Sequence, residues 1–467
     1  MLAHTPLGAY MPSGISSFSV LDKNIRKYPW PYYAWLQSDK KRRVYKLPDE
    51  SNFYIIHAYD DVKQVLTDQE QFSSQIFPDI EIPFFPMMKG PEHQRIRSAV
   101  RELFSNKMIA TLSEDMQSFS RQYADDLFRR KTCDIVDVWS SKIPLASIAT
   151  IFGYADISYD SLSSLRQQAT SLNIEAFPVG GTGLKDGVNR KISPLHYLRY
   201  SRLLPVLLKL IKTIGLSNFL QFSQYLKSGK QTEGVPRQQT SIDGSIDRAH
   251  DVLSFLHTIG EILKYRVNPD SNTVVARFLR AHNEGKVSFI ELLMGCLIIL
   301  LAGYGTTSSL LSVGAYLFAA DGDVLQTLKE DDEHIDNFVE EMLRVYAPLQ
   351  RTVRRVTASV ELGGYKLPKD AQLIVLIGAA NVDPEIFENP YTFDISRNTT
   401  NHITFGKGIH TCLGTVLARK IAKLAFTEIV ARLREINIVD QKNLQYITDR
   451  DTGMYGFEKL LVSVREE

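Results

Sequence analysis

The sequence predicts a mainly α-helical domain with small β-sheets, and three observations carry that expectation. Helical periodicity dominates residues 91–151, where Leu103, Met108, Leu112 and Met116 recur at helical spacing. Two strong helical patterns, VSFIELLMGCLIILL and HIDNFVEEMLRVY, lie within residues 287–346. After Pro348 the texture turns to β: ASVELGGYKLPKDAQLIVLIGAAN alternates and is broken by Gly-Gly and Pro-Lys-Asp turn signals.

The remaining elements follow in order. Residues 51–66, SNFYIIHAYDDVKQVL, read as a short strand and then a helix. A loop-rich stretch carries Pro384 and Pro390, a final helix runs from about Leu413 to Leu433, and LLVSVRE returns to strand. No internal repeat is present, so the 467 residues are expected to form one domain. One segment stands apart. Residues 187–232 contain no Asp or Glu, whereas Arg190, Lys191, Arg199, Arg202, Lys209, Lys212, Lys227 and Lys230 are all basic. Two readings stay open for it: a surface for lipid or an acidic partner, or a packed amphipathic helix with solvated lysines.

Bulk properties exclude several classes. A net charge of +1 gives no global field for nucleic acid or a membrane surface. Cys133, Cys296 and Cys412 are odd in number and widely spaced, which suits a reducing compartment and no structural zinc site. The N-terminal MLAHTPLGAYMPSG lacks the charged-then-apolar order of a secretory leader. The apolar run from Leu292 to Gly303 is shorter than the ~20 residues that span a bilayer, so it is expected to be a buried core helix. A cytoplasmic location follows.

Within that helix, LIILLAGYGTTSSLL places Gly303 and Gly305 where each costs roughly 1 kcal/mol relative to alanine. Something must approach closely there. The second stretch with chemistry is FGKGIHTCLGTVLARK, residues 405–420, where glycines surround Cys412 just before a helix. Such glycines let backbone fold tightly and approach a bulky group, and a helix N-terminus favours thiolate.

The pattern Phe405-Gly406-x-Gly408-x-His410-x-Cys412-Leu-Gly414 resembles the heme-binding signature of cytochrome P450 enzymes. Other motifs follow in that family's order: PEHQRIR at 91–97, Glu341-Met-Leu-Arg344, Arg354 ahead of VELGG, and FDISR at 393–397. The resemblance covers residues from about 50 to the C-terminus, apart from the basic insertion. It implies the helix-rich P450 fold around heme b, with Cys412 as the axial thiolate. Phe405, Gly406 and Gly414 would shape the cofactor loop. His93, Arg97, Arg354 and His410 would bind the propionates, and Glu341 with Arg344 would form a structural ion pair.

The resemblance also makes AGYGTT at 302–307 the distal segment. Ala302 and Gly303 would leave room for dioxygen and substrate, and Thr306 would help deliver protons. The family usually carries an acid where this chain has Gly305. On that reading the enzyme is a monooxygenase of hydrophobic, secondary-metabolite-like substrates. The departure keeps open peroxide use, nitric-oxide chemistry, dehydration, oxidative coupling or plain ligand binding. By family position Phe84, Phe85, Met87, Met88, Ile299, Leu349, Val353 and Met454 would approach substrate. No flavin or iron–sulfur sequence is fused to the chain, so a ferredoxin or flavodoxin and its reductase would supply electrons. Arg95, Arg101, Lys407, Arg419, Lys420 and Lys423 are candidates for docking that donor. The basic insertion would suit a carrier-tethered substrate, with membrane contact the less favoured alternative.

Overall fold

The computed structural model describes residues 23–48, 52–76, 85–153, 268, 270–331, 333–447 and 453–467. Residues 77–84 and the basic segment 187–232 lie outside the described residues. The chain packs as two compact units: residues 1–76, 104–148 and 303–467 form one, and residues 77–103 and 149–302 the other.

The first unit contains a five-stranded sheet with Val44–Lys46, Phe53–Ile56, Gln372–Val375, Thr352–Val356 and Phe72–Ser73 side by side in that order. Phe53–Ile56 runs parallel to Gln372–Val375, with Phe53 opposite Gln372 and Ile56 opposite Val375. Thr352–Val356 pairs antiparallel to the same strand, placing Arg354 opposite Leu373. All four residues of Phe53–Ile56 are buried, as expected of a strand covered on both faces. Helix Tyr59–Thr67 contributes Val62, Val65 and Leu66 to a core shared with Phe72, Leu373 and Val375.

The expected hairpin joins Val360–Leu362 to Tyr365–Leu367. Gly363 and Gly364 adopt φ of 55° and 78°, the two left-handed positions that a tight hairpin turn requires. The C-terminal strand Leu461–Glu466 lies between Thr132–Asp134 and Leu433–Ile438.

Helices Ser113–Arg130, Glu333–Val345 and Thr415–Val430 build the helical part of this unit. Its core is aromatic. Phe338 stacks on Phe318 at 5.4 Å between centroids and meets Phe426 edge-on at 5.3 Å. Gly314 makes that cluster fit, because a Cβ there would lie 2.3 Å from Phe426 Cζ.

In the second unit, helices Gly90–Val100 and Val274–Asn283 accompany the first part of the long helix Phe289–Ala320. That helix starts with a reciprocal cap: Ser288 Oγ accepts the Glu291 N–H at 3.2 Å, and Glu291 Oε2 accepts the Ser288 N–H at 2.7 Å. The apolar run extends further than its sequence limits suggested. The helix has 32 residues, about 48 Å at 1.5 Å per residue, and its length and composition match a membrane span. Its side chains are nonetheless packed within the protein: Leu292, Cys296, Leu310, Leu311 and Val313 are at most 1% exposed. The buried-core expectation holds, while the run is longer than a core segment needs.

Gly314→Ala is expected to lower the unfolding free energy by about 1–3 kcal/mol through overpacking against Phe426, despite the better helix propensity of alanine. A urea titration checks it, as a lower midpoint at unchanged slope.

Candidate active site

The cysteine loop is built from backbone. Cys412 donates its N–H to the Phe405 carbonyl at 2.8 Å, and Gly406 donates to Ile403 at 2.8 Å. Gly406 and Gly408 take φ of 71° and 73°, which glycine alone adopts without strain. A Cβ on Gly408 would meet the Leu66 carbonyl oxygen at 2.9 Å, so the loop lies directly on the end of helix Tyr59–Thr67. A short turn, Gly408–His410, precedes Cys412, and Thr415–Val430 follows with Gly414 as its N-cap. Cys412 is exposed, whereas Cys133 and Cys296 are buried; none of the three is in a disulfide.

Arg354 is the second element. It is 6% exposed, with Nη1 donating to the Val353 carbonyl at 2.8 Å and to Thr352 Oγ1 at 3.3 Å. Its Nε is buried with no hydrogen-bond partner, and no carboxylate pairs with it among the described residues. Burial alone pushes its pKa down to about 10. A buried guanidinium without a counter-charge is strongly unfavourable, so the position suits an anion that none of the described residues supplies. In the same unit His410 Nε2 lies 3.0 Å from Ser74 Oγ.

The third element is a buried ion pair. Glu341 and Arg344 are fully buried and paired through two bonds of 2.7 Å. Arg344 Nη1 also donates to the carbonyls of Asn381 at 3.0 Å and Pro390 at 2.7 Å. Glu341 Oε1 accepts the Asp394 N–H at 3.0 Å and Arg397 Nε at 3.2 Å. The pair thus locks FDISR onto its helix.

A family model described as cytochrome P450 matches residues 248–448, which span this pair, Arg354 and the cysteine loop. The chain is similar to cytochrome P450s in this match, in its curated relatives and in its structural neighbours. Among relatives, 6-deoxyerythronolide B hydroxylase of Saccharopolyspora erythraea is 24% identical over 404 residues, covering 82% of this chain and 84% of that one. The crystal structure of CalO2 matches with TM-score 0.76 at 20% identity, over 97% of this chain and 99% of that one. The structure of P450BioI in complex with an acyl carrier protein ligated to hexadec-9Z-enoic acid matches with TM-score 0.72 at 20% identity, over 95% and 99%.

This P450 is a heme-thiolate monooxygenase. Its donor set fits the cofactor: an exposed cysteine on a backbone-fixed loop, and a buried arginine that no carboxylate among the described residues pairs with. The second unit places His93 and Arg97 one turn apart on Gly90–Val100. Burial, and then the neighbouring Arg97 charge, lower the His93 pKa to about 4. His93 is therefore neutral at physiological pH in the protein alone.

The distal helix of this P450 opens where the sequence changes character. Leu301 and Thr307 are buried, but Ala302 is exposed and Gly303, Tyr304, Gly305 and Thr306 are half-buried. Each glycine makes room for a particular neighbour. A Cβ on Gly303 would lie 2.8 Å from Ile148 Cδ1, and one on Gly305 would lie 3.3 Å from Met454 Cε.

Met454 is fixed by its surroundings. Gly453 takes φ of 69° and its carbonyl accepts the Gln350 N–H at 2.8 Å, while Tyr455 donates to Pro348 at 2.9 Å. Leu349 and Met454 form a β-bridge, and Ser309 Oγ donates to the Tyr455 carbonyl. This contact to residue 305 was not legible in the sequence. Of the other expected substrate residues, Val353 and Ile299 are 9% and 8% exposed, and Met87 and Met88 are half-buried. Phe85 begins a short turn, Phe85–Met87, and Phe84 lies outside the described residues.

Three docking candidates are paired instead. Arg95 forms a two-bond ion pair with Glu291, Arg419 does so with Glu340, and Lys423 pairs with Asp336. Glu340 and His402, which meet at 3.0 Å, were missed because no spacing in the sequence marks them.

Glu341→Gln is expected to cost about 3–5 kcal/mol, because it leaves Arg344 buried without its counter-charge. Arg344→Lys should fail similarly, since an ammonium cannot replace the two-bond fork. Both effects are read as loss of soluble heme-loaded protein and a lower urea midpoint.

Proposed function

We propose that this P450 oxidises a hydrophobic secondary metabolite in the cytoplasm, with electrons from a separate ferredoxin or flavodoxin and its reductase. The observation that carries this reading is a solvent-facing Cys412 in the same unit as a buried Arg354 that no described carboxylate neutralises. The whole chain acts as one catalytic domain on this account.

The residues divide the work by their chemistry. Cys412 would hold the heme iron, and Arg354 and His410 would hold propionate through charge-assisted hydrogen bonds, a role that the family resemblance alone also gives His93 and Arg97. The chemistry that the bound group supplies is dioxygen activation, which thiolate ligation favours. Thr306 offers a hydroxyl that both donates and accepts, as a proton-delivering group requires. Leu349, Val353 and Met454 present an apolar edge to substrate, with Leu349 and Met454 bridged. Lys407 and Lys420 flank the cysteine loop without ion pairs among the described residues, and would meet an acidic electron donor.

Two further points favour a substrate delivered on a carrier. The P450BioI structure contains an acyl carrier protein. Residues 187–232 of this chain bring eight Lys and Arg with no Asp or Glu, a charge pattern suited to an acidic carrier. A ferric Soret titration with free and carrier-tethered hydrophobic compounds tests the reading. A shift to high spin with carrier-bound forms supports delivery by carrier, a shift with a free compound assigns a diffusible substrate, and no shift with any compound counts against a hydrophobic substrate.

The missing distal acid also has a structural counterpart. Met454 Cε faces residue 305, so a carboxylate introduced there must displace a thioether methyl. Proton delivery to Thr306 then relies on water or on a polar group of the substrate. Gly305→Asp combined with Met454→Ala is expected to raise the ratio of product to electrons consumed more than Gly305→Asp alone. Equal ratios in the two variants would show that Met454 does not obstruct the position.

A further inference from the structure

Glu340 and Glu341 are neighbours on helix Glu333–Val345, so their side chains leave it about 100° apart. Glu341 turns to Arg344 and the FDISR segment. Glu340 turns to the cysteine loop.

Its carboxylate gathers two side chains from around that loop. Arg419, seven residues beyond Cys412 on the final helix, donates Nη2 to Glu340 Oε2 at 2.7 Å and Nε to Oε1 at 2.5 Å. His402, just before the loop, meets Oε2 through Nε2 at 3.0 Å. The Thr404 N–H points at His402 Nδ1 at 3.3 Å, which fixes Nδ1 as acceptor and Nε2 as the protonated donor. Burial opposes charge on Glu340, but the hydrogen bonds from Arg419 and His402 outweigh it and hold the carboxyl at about 2. Arg419 is therefore a compensated cation and a poor free docking charge.

Arg419 also lies 3.4 Å through Nη2 from His402 Nε2, and it touches the loop itself. Its guanidinium lies 4.6 Å above the Phe405 ring, a cation–π geometry. Phe405 is the residue whose carbonyl accepts the Cys412 N–H at 2.8 Å. Carboxylate, guanidinium, ring and backbone carbonyl thus form one chain of contacts that ends at the cysteine.

We propose that Glu340 is a positioning residue for the Cys412 thiolate, holding Phe405 and the cysteine loop through Arg419. This rests on the heme-thiolate reading of Cys412. Glu340 touches neither cofactor nor substrate on this account. Its effect is on how firmly the sulfur is held as a ligand, not on whether the fold forms.

The test uses full-length holoprotein and variants Glu340→Gln, Glu340→Asp, Arg419→Gln and the double variant Glu340→Gln/Arg419→Gln, with Cys412→Ser as control. Two readouts are followed: conversion of the thiolate-type ferrous–CO band to the thiol type on mild warming, and the ferric/ferrous midpoint potential. Glu340→Gln and Arg419→Gln should each convert several-fold faster and shift the potential. The double variant should be no worse than either single one, and Glu340→Asp should recover part of the loss. Wild-type rates and potentials in Glu340→Gln would overturn the proposal. Losses that simply add in the double variant would also overturn it, because the two residues would then not act as one chain. Failure of the heme-thiolate reading itself looks different: wild type would lack the thiolate band, or Cys412→Ser would keep it.

Discussion

The buried ion pair between Glu341 and Arg344 is the constraint on which the rest of the first unit depends. Neither side chain is exposed, so each charge must be met by the other and by backbone. Arg344 meets the carbonyls of Asn381, Pro390 and Thr392, and Glu341 meets Asp394 and Arg397. Asn381 then turns its amide to Thr404 Oγ1 and accepts the Ile403 N–H. A single charged pair therefore connects one helix, the 390–397 segment and the approach to Cys412. An apolar substitute of equal volume could fill the space but could not organise so many backbone groups at once.

The cysteine loop and Arg354 are strained against ordinary economy in a way that only a bound group relieves. A buried guanidinium with an unmet Nε and an exposed thiol on a glycine-shaped loop both count against the protein alone. Together they describe an anionic, sulfur-ligated cofactor. The distal helix follows the same logic at residues 302–306, where an otherwise buried apolar helix gives up packing to leave an open face.

Much of this was legible in the sequence, for identifiable reasons. The hairpin at Gly363–Gly364 and the strand–helix pair at Phe53–Thr67 are local patterns, and both form as the periodicity implies. The Cys412 loop was legible because its glycines are spaced by a local backbone path. The full length of the distal helix was not, since Gly303 and Gly305 interrupt the apolar run without ending the helix. Met454 and Gly305 are 149 positions apart, and only the fold brings them together. Nothing in the sequence sets Glu340 apart from a surface acid beside a motif glutamate. Arg419 looked like a docking charge until its partner was visible.

On the proposed reading, the unmatched charge of Arg354 exists for a carboxylate of the cofactor. Heme affinity of the apoprotein and of Arg354→Leu, each measured with heme and with heme dimethyl ester, tests it most directly. The account predicts that the substitution weakens binding of heme markedly and of the ester little, because the ester has no carboxylate to lose. Equal weakening for both would contradict it and make Arg354 a structural residue of the sheet.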